Sequence, residues 1–113
     1  MVKVEFENTK SQLKLFVTGH ARSAGAGPDI ICASASILAY TLAQCIKFYE
    51  ENKCLNCTPQ IKLEKGDSEI ICKPKKDYYE EVAHTYWVTQ SGLMLLAHNY
   101  PDYIQIVGTD DKS

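Results

Sequence analysis

GHARSAGAGPDIICASAS, residues 19–36, is the stretch that decides how this chain folds. It begins where one apolar segment ends, at Gly19-His20, and Cys32 lies at the start of the next. Residues 21–28 between them are mostly glycine and alanine, with little side-chain bulk to pack. From Pro28 onward, apolar residues recur every three or four positions, as they do on one face of a helix. We therefore expect a strand ending at His20, a mobile loop, and then a helix.

The expected helix runs from Pro28 to about residues 51–53. Proline suits the first helical position, and Asp29 in the first turn would meet the positive end of the helix dipole. The apolar stripe consists of Ile31, Ala35, Leu38, Leu42, Cys45 and Tyr49. The opposite face is also apolar, at Ala33, Ile37 and Tyr40. A helix that is apolar on both sides is either central or covered by another subunit.

The other segments complete the order ββαββαβ. Period-2 alternation predicts a hairpin over residues 2–7 and 12–18. The later elements are a third strand from Ile61, a turn at Gly66-Asp67, a fourth strand over 69–73, a helix from about Tyr79 to Pro101, and a strand over 103–107. Asp77 and Glu80 resemble a capping box for that helix. We predict a single α+β domain over residues 1–113, in two layers, with two helices on a mostly antiparallel sheet and a flexible tail at 109–113.

Composition excludes several classes of protein. The chain has 113 residues, 45% of them hydrophobic, and a formal net charge of -2, so a nucleic-acid partner is not expected. No uninterrupted apolar run reaches the roughly 18 residues that span a bilayer, so we expect no membrane partner. The alternating N-terminus is typical of a strand and not of a signal peptide. Five cysteines, an odd number, favour free thiols in a reducing compartment, here the cytoplasm.

His20 and Cys32 are the candidate base and nucleophile of a thiol hydrolase. A thiol attacks as the thiolate, which both a helix N-terminus and a neighbouring histidine favour. Asp29 and Ser36 lie one turn before and after Cys32 on the same helical stripe. Asp29 would orient a protonated His20, and Ser36 would donate a hydrogen bond to the thiolate or to substrate. The alternative is that Cys32 is a small core residue, since cysteine is among the most buried types.

The same residues resemble the bacterial ribosomal-processing cysteine protease family (Prp). The family pattern is Gly-His-Ala, a loop of small residues, Asp-Ile/Leu-Val-Cys-Ala, and a serine four residues after the cysteine. Here it reads Gly19-His20-Ala21, then Asp29-Ile30-Ile31-Cys32-Ala33 and Ser36. Residues 92–104 are similar to the family's closing helix and strand, so the resemblance covers nearly the whole chain.

The resemblance implies a homodimeric protease without a cofactor. Its substrate would be a short N-terminal extension, ending in an aromatic pair, on a bacterial large-subunit ribosomal protein. His20 and Cys32 match the catalytic pair, Asp29 and Ser36 match supporting positions, and Gly19 matches the glycine that places the histidine. Loop residues Arg22, Ser23, Ala24 and Gly27 would contact substrate. Arg22, Ser23 and Pro28 depart from the family pattern. We expect the first two to alter the substrate preference, and none of the three touches the catalytic pair.

Cys54 and Cys57 support a competing interpretation. Their spacing is that of half a zinc site or of a redox pair. A structural zinc site would need two more ligands, and Cys72, His84 and His98 are the plausible suppliers. Three hypotheses therefore stand: a cysteine peptidase, a non-catalytic module that binds an extended peptide in the same groove, and a small zinc or redox protein.

Overall fold

The computed structural model describes residues 1–20 and 26–110. Its strands are β1 (Val2–Asn8), β2 (Leu13–Thr18), β3 (Gln60–Glu64), β4 (Asp67–Cys72) and β5 (Ile104–Asp110). Its α-helices are α1 (Ala26–Glu51) and α2 (Tyr79–Asn99), the second preceded by a 3-10 turn, Lys76–Tyr78. The order ββαββαβ is the predicted one, and the α+β class is confirmed.

The five strands form one sheet in the order β3-β4-β2-β1-β5. Strand β2 pairs antiparallel with both β1 and β4, and β3 pairs antiparallel with β4. Only β5 is parallel to its neighbour, β1, with Val2 opposite Ile104. The sheet is therefore mostly antiparallel, as predicted.

One face of the sheet forms the core with the two helices. Alternate strand residues point toward the helices and are buried, among them Val4, Leu15 and Ile70, each 0% exposed. The intervening positions, such as Lys3, Glu5 and Glu69, face the other way and remain accessible. Helices α1 and α2 pack against each other on the buried face, so the domain has two layers.

Helix α1 begins earlier than the sequence suggested. It starts at Ala26, so Pro28 is its third residue instead of its first, and part of the expected loop is helical. A proline is tolerated there because the first four amides of a helix have no intrahelical acceptor. Residues 21–25, the rest of that loop, lie outside the described residues.

Helix α1 ends at Glu51, and the chain then makes a left-handed turn at Lys53. Lys53 has a φ of 60°. Its amide donates to the carbonyl of Glu50 at 3.0 Å, and the amide of Cys54 donates to that of Tyr49 at 2.9 Å. These two bonds form a Schellman motif, which satisfies carbonyls at the helix end and reverses the chain toward β3.

Two local predictions differ from the structure. The expected capping box fails because Asp77 lies inside the 3-10 turn, where the amide of Tyr78 donates to Lys75; α2 begins with no side-chain cap. Strand β5 extends through Thr109 and Asp110, which were expected in the polar tail. Those two residues continue the parallel register opposite Glu7 and Asn8 of β1. Residues 111–113 lie outside the described part of the chain.

One described helix has the length and composition of a membrane span. The segment is Asp29–Glu51, with a mean hydropathy of 1.5. This segment contains no uninterrupted apolar run of that length, so it was not predicted from the sequence as a membrane span. The core helix of a globular domain meets the same criterion. Here α1 buries Ile31, Leu42 and Ile46 completely against the rest of the core.

Candidate active site

A cavity of about 400 Å³ lies between the end of β2, the start of α1 and the β3–β4 turn. Its volume falls in the range of small-ligand sites. Five of the residues singled out from the sequence line it: Gly19, His20, Asp29, Cys32 and Ser36. The others that line it are Val2, Val17, Ala33, Ala35, Lys65, Gly66 and Ser68. The fold thus brings the ends of the 19–36 stretch to one cavity.

His20 is held by backbone contacts at the end of β2. The amide of Gly19 donates to the carbonyl of Gly66 at 3.0 Å, and the nitrogen of Met1 donates to the carbonyl of His20 at 2.7 Å. Gly19 has a φ of +87°, and a Cβ there would overlap the carbonyl oxygen of Met1. Only glycine satisfies both conditions, so Gly19 fixes the chain direction from which His20 projects.

Gly66 packs directly against the imidazole of His20. A Cβ at Gly66 would overlap Cε1 and Nε2 of that ring, and Gly66 has a φ of +76°. The glycine therefore lets the β3–β4 turn close over the histidine. The adjacent Asp67 accepts a hydrogen bond from Lys62 at 2.6 Å. This bond to Asp67 is the main reason that the pKa of Lys62 is raised, and it braces the turn.

Cys32 lies in the second turn of α1 and is half-buried. Because the helix begins at Ala26, the amide of Cys32 falls beyond the four unpaired donors of the first turn. The start predicted from the sequence, Pro28, lies two residues later and would have put Cys32 closer to those donors. The Cα–Cβ bond of a helical residue tilts toward the helix N-terminus, so the thiol still lies over the first turn.

Asp29 and Ser36 occupy the same helical stripe as Cys32. Asp29 is exposed and Ser36 is half-buried, and both border the cavity. A carboxylate, an imidazole, a thiol and a hydroxyl therefore share one opening. This set of groups suits nucleophilic catalysis by a thiol, with a base that takes its proton and an acid that orients the base.

Not every predicted site residue falls in the described structure. Arg22, Ser23 and Ala24 lie outside the described residues, and Gly27 lies in the first turn of α1. Sequence reasoning missed Lys65, Gly66 and Ser68, which come from the β3–β4 hairpin. Gly66 had been identified only as a turn residue. Its place beside His20 depends on the pairing of β2 with β4, Thr18 opposite Asp67, for which the sequence carried no signal.

A larger cavity of about 880 Å³ lies elsewhere, beside the N-terminal half of α2. Its lining includes three ring-bearing residues, Tyr79, His84 and Trp87, and two acidic residues, Glu80 and Glu81. The rings of His84 and Trp87 stack with their centroids 5.6 Å apart. No cysteine lines this cavity, so the smaller one is the candidate for thiol chemistry.

The cysteines of the competing hypothesis do not assemble a metal site. Across residues 1–20 and 26–110, no three His, Cys, Asp or Glu side chains are grouped to hold a metal ion. Cys54 and Cys72 are buried, and Cys57 is exposed.

Several solved structures share this fold, among them the following three. SMU.848 from Streptococcus mutans superposes with a TM-score of 0.72 at 23% identity, covering 98% of this chain and 96% of that one. The essential ribosomal processing protease Prp from S. aureus, in complex with a substrate peptide, gives 0.71 at 16% identity, covering 96% and 100%. The same protease with a covalently linked product peptide gives 0.69 at 17% identity, with the same coverage. Among curated proteins, none matches this chain.

The family assignment comes from the sequence profile described as "Cysteine protease Prp". That profile matches residues 1–105, which is nearly the whole chain and includes every element up to the start of β5. The match spans both His20 and Cys32 and agrees with the resemblance noted in the sequence. The chain belongs to the Prp family of cysteine proteases.

Proposed function

We propose that Cys32 is the nucleophile and His20 the general base of this cysteine protease. The observation that carries the proposal is that both side chains line one cavity, together with Asp29. The cavity lies at the N-terminal end of helix α1, where the helix dipole favours negative charge. Neither the exposed Cys57 nor the half-buried Cys45 lines this cavity or the larger one beside α2.

In the proposed reaction, His20 takes the proton of the Cys32 thiol and the sulfur attacks the scissile carbonyl carbon. The tetrahedral intermediate collapses as the leaving amine takes that proton from His20. Water, deprotonated by His20, then hydrolyses the thioester and restores the thiol. Asp29 stabilises the imidazolium in both steps, and Ser36 donates a hydrogen bond at the sulfur or the substrate. Gly19 supports the histidine through its backbone.

The proposed substrate is the N-terminal extension of a bacterial large-subunit ribosomal protein, number twenty-seven. Support comes from the family and from the S. aureus relative, a ribosomal processing protease that was crystallised with its substrate peptide. The loop residues Arg22, Ser23, Ala24 and Gly27 would contact that extended peptide. Because two of them depart from the family pattern, we expect the preferred sequence around the cut to differ in detail.

The test is cleavage of a peptide that spans the extension, followed by mass spectrometry. Wild type should cut once after the aromatic pair, whereas Cys32→Ala and His20→Ala should lose the cut. Cys45→Ala is the matched control, because it removes a half-buried thiol from the same helix and should leave cleavage intact. A second peptide with the aromatic pair replaced by alanine should resist cleavage.

Binding measured on the same peptides separates this proposal from a non-catalytic module. If wild type and Cys32→Ala bind the peptide equally and neither cuts it, the protease assignment for this substrate is wrong. If Cys32→Ala still cuts, the nucleophile is another group.

We also propose that the enzyme is a cytoplasmic homodimer. Helix α1 leaves Ile30, Ile37 and Phe48 between 56% and 61% exposed along one stripe, which a second copy would cover. Helix α2 adds Val88 and Leu95, 53% and 62% exposed. Five free cysteines suit a reducing compartment, and the net charge of -2 gives no support to nucleic-acid binding.

A further inference from the structure

A buried hydroxyl borders the candidate active site and has no role in the proposed reaction. Ser68, the second residue of β4, is 7% exposed and lines the cavity of about 400 Å³. Within residues 1–20 and 26–110, its hydroxyl forms no hydrogen bond to another residue. No side-chain nitrogen or oxygen in that part of the chain is fully enclosed without a partner, so this hydroxyl opens into the cavity.

The position of Ser68 in β4 explains why a polar side chain is buried there. Alternate residues of this strand, Ser68, Ile70 and Cys72, are buried on the face that packs against the helices. Ile70 and Cys72 belong to the apolar core, whereas Ser68 ends the row at the cavity. A buried hydroxyl lowers stability unless it is hydrogen-bonded. The partner of this hydroxyl therefore has to come from the cavity.

The inner end of the cavity is uncharged. Three of the lining residues are buried, namely Val2, Ala35 and Ser68. The lining residues with a permanent charge, Asp29 and Lys65, are both exposed and lie at its mouth. The buried surface of the cavity is therefore apolar except for one hydroxyl group.

Ser68 lies inward of the candidate reacting groups. Gly66 packs against the ring of His20, and Ser68 follows Gly66 by two residues, which span at most about 7 Å of extended chain. On the helix side of the cavity, Cys32 is half-buried, and Ala35, three residues later on α1, is buried. Both walls thus run from the reacting groups into the protein. A substrate side chain as long as tyrosine that begins beside the scissile carbonyl and points inward would end at Ser68.

The uncharged inner end restricts the chemistry of that side chain. A charged group buried there would lose its hydration and gain no charged partner. A carboxamide has two N–H donors and an acceptor, which a single hydroxyl cannot satisfy. A phenol has one hydroxyl on an apolar ring, which matches the hydroxyl of Ser68 beside the apolar Val2 and Ala35. A ring without a hydroxyl would displace solvent from Ser68 and leave its hydroxyl without a partner.

We propose that Ser68 makes this protease select tyrosine as the residue immediately before the cut. The inference rests on the proposed function, which places the scissile carbonyl beside Cys32. In the bound substrate, the tyrosine and Ser68 hydroxyls form one hydrogen bond, in which either oxygen can be the donor. Ser68 acts as a specificity residue and takes no part in proton transfer. A site that hydrogen-bonds a substrate hydroxyl discriminates against the analogue without it more strongly than an apolar pocket discriminates by size.

The experiment compares two peptides that span the extension and differ only in having tyrosine or phenylalanine immediately before the cut. The value of kcat/KM is measured for both peptides with wild type and with Ser68→Ala. Wild type should prefer the tyrosine peptide by about tenfold, the size of effect expected for one buried hydrogen bond. Ser68→Ala should lose this preference because it cuts the tyrosine peptide more slowly. Since both peptides are compared on the same enzyme, any change in the folded fraction cancels from the ratio.

Binding to inactive variants keeps this inference separate from the proposed function. Cys32→Ala and the double variant Cys32→Ala/Ser68→Ala are titrated with both peptides, and only the single variant should bind the tyrosine peptide more tightly. If wild type cuts neither peptide but the single variant shows this selectivity, the proposed function is wrong and the specificity of the pocket is supported.

Three results would overturn the proposal. The first is equal cleavage and equal binding of the two peptides, or binding of neither, which would show that Ser68 does not recognise the phenol. The second is a tyrosine preference that persists in Ser68→Ala, which would assign it to another group. The third is an equal loss of cleavage of both peptides in Ser68→Ala, which would place Ser68 in the reaction or in the stability of the fold.

Discussion

At the scale of single residues, two glycines determine where His20 lies. Gly19 sets the direction of the chain, and Gly66 leaves room for the imidazole. Each has a positive φ, and at each position a Cβ would overlap an atom of another residue. Neither glycine carries a chemical group, yet both line the cavity. The position of His20 in the candidate site therefore depends on two residues that have no side chain.

Gly66→Ala should displace the imidazole and strain the turn. The left-handed conformation costs alanine about 1–2 kcal/mol, and the overlap with His20 adds to that cost. Since displacement of a catalytic group by about 1 Å can cost 10²-fold in rate, we expect peptide cleavage to fall on that order. Denaturant unfolding and cleavage kinetics measure the two effects.

A double-mutant cycle isolates the contact. In a His20→Ala background the imidazole is absent and cannot overlap the added Cβ. The stability cost of Gly66→Ala should then fall to the strain of its left-handed backbone alone. Equal costs in both backgrounds would show that the glycine does not act through the histidine.

Cys72 makes the stability of the fold depend on alkaline pH. Burial raises its pKa from an ordinary 9.0 to about 11. Between these values the unfolded chain releases the proton and the folded chain keeps it, so the free energy of unfolding falls as the pH rises. The free energy of unfolding should fall by about 2–3 kcal/mol between pH 9 and pH 11. Below pH 9 the Cys72 thiol should contribute no pH dependence.

The comparison of wild type with Cys72→Ala in urea unfolding at each pH isolates this effect. Burial also raises the pKa of Tyr86, and Cys72 adds to that increase. The two pH profiles are therefore compared below pH 10, the ordinary pKa of tyrosine, where their difference belongs to Cys72. Parallel profiles from pH 8 to 10 would contradict the assignment.

Much of the candidate site could be predicted from the sequence, because it depends on local patterns. His20 follows a strand and Cys32 lies near the start of a helix, and the apolar periodicity and glycine content of the sequence located both. Lys65 and Gly66 could not be predicted as neighbours of His20, because strand pairing between β2 and β4 is a contact across half the chain. The start of α1 at Ala26 was missed because glycine and alanine carry no periodicity.

At the scale of elements, the end of α1 contains a residue that suits its position poorly. Lys53 adopts φ 60°, which glycine adopts without strain, whereas the other left-handed positions within residues 1–20 and 26–110, Gly19 and Gly66, are glycines. The turn directs the chain from the helix toward the segment that leads into β3. Its conformation is therefore held by the Schellman hydrogen bonds and not by local preference.

Lys53→Gly should stabilise the protein by about 0.5–1 kcal/mol. The strain removed from the left-handed residue exceeds the entropy that glycine adds to the unfolded chain. Thermal and urea unfolding measure the gain. Lys47→Gly, in the interior of the same helix, is the matched control and should destabilise by a similar amount. A loss of stability in Lys53→Gly would mean that the lysine side chain supports the turn.

At the scale of the whole molecule, the two layers leave the outer face of the helices uncovered. The core lies between helices and sheet, and the apolar stripe through Ile37 belongs to neither. The sequence already showed that α1 was apolar on two sides, so this property could be predicted. The parallel pairing of β5 with β1 could not be predicted, because the residue pattern of a short apolar strand does not indicate which strand it pairs with.

Ile37→Glu should convert the proposed dimer to a monomer. Ile37 is 61% exposed, so the substitution leaves the core intact while it places a charge at the centre of the stripe. Light scattering with size-exclusion chromatography measures the mass. Leu63→Glu makes the same change at an exposed residue of β3 and should leave the mass unchanged. A wild-type mass of one chain would contradict the homodimer.

The pairing of β1 with β5 also has a consequence for the time at which the enzyme becomes active. β1 leaves the ribosome before β2, β3 and β4, and its parallel partner β5 leaves after them, with Val2 and Ile104 opposite each other in the sheet. Until β5 emerges, β1 has an open edge and the core lacks a wall, so the nascent chain cannot complete its fold. We therefore expect this protease to complete its fold, and with it its active site, only after β5 has left the ribosome and paired with β1.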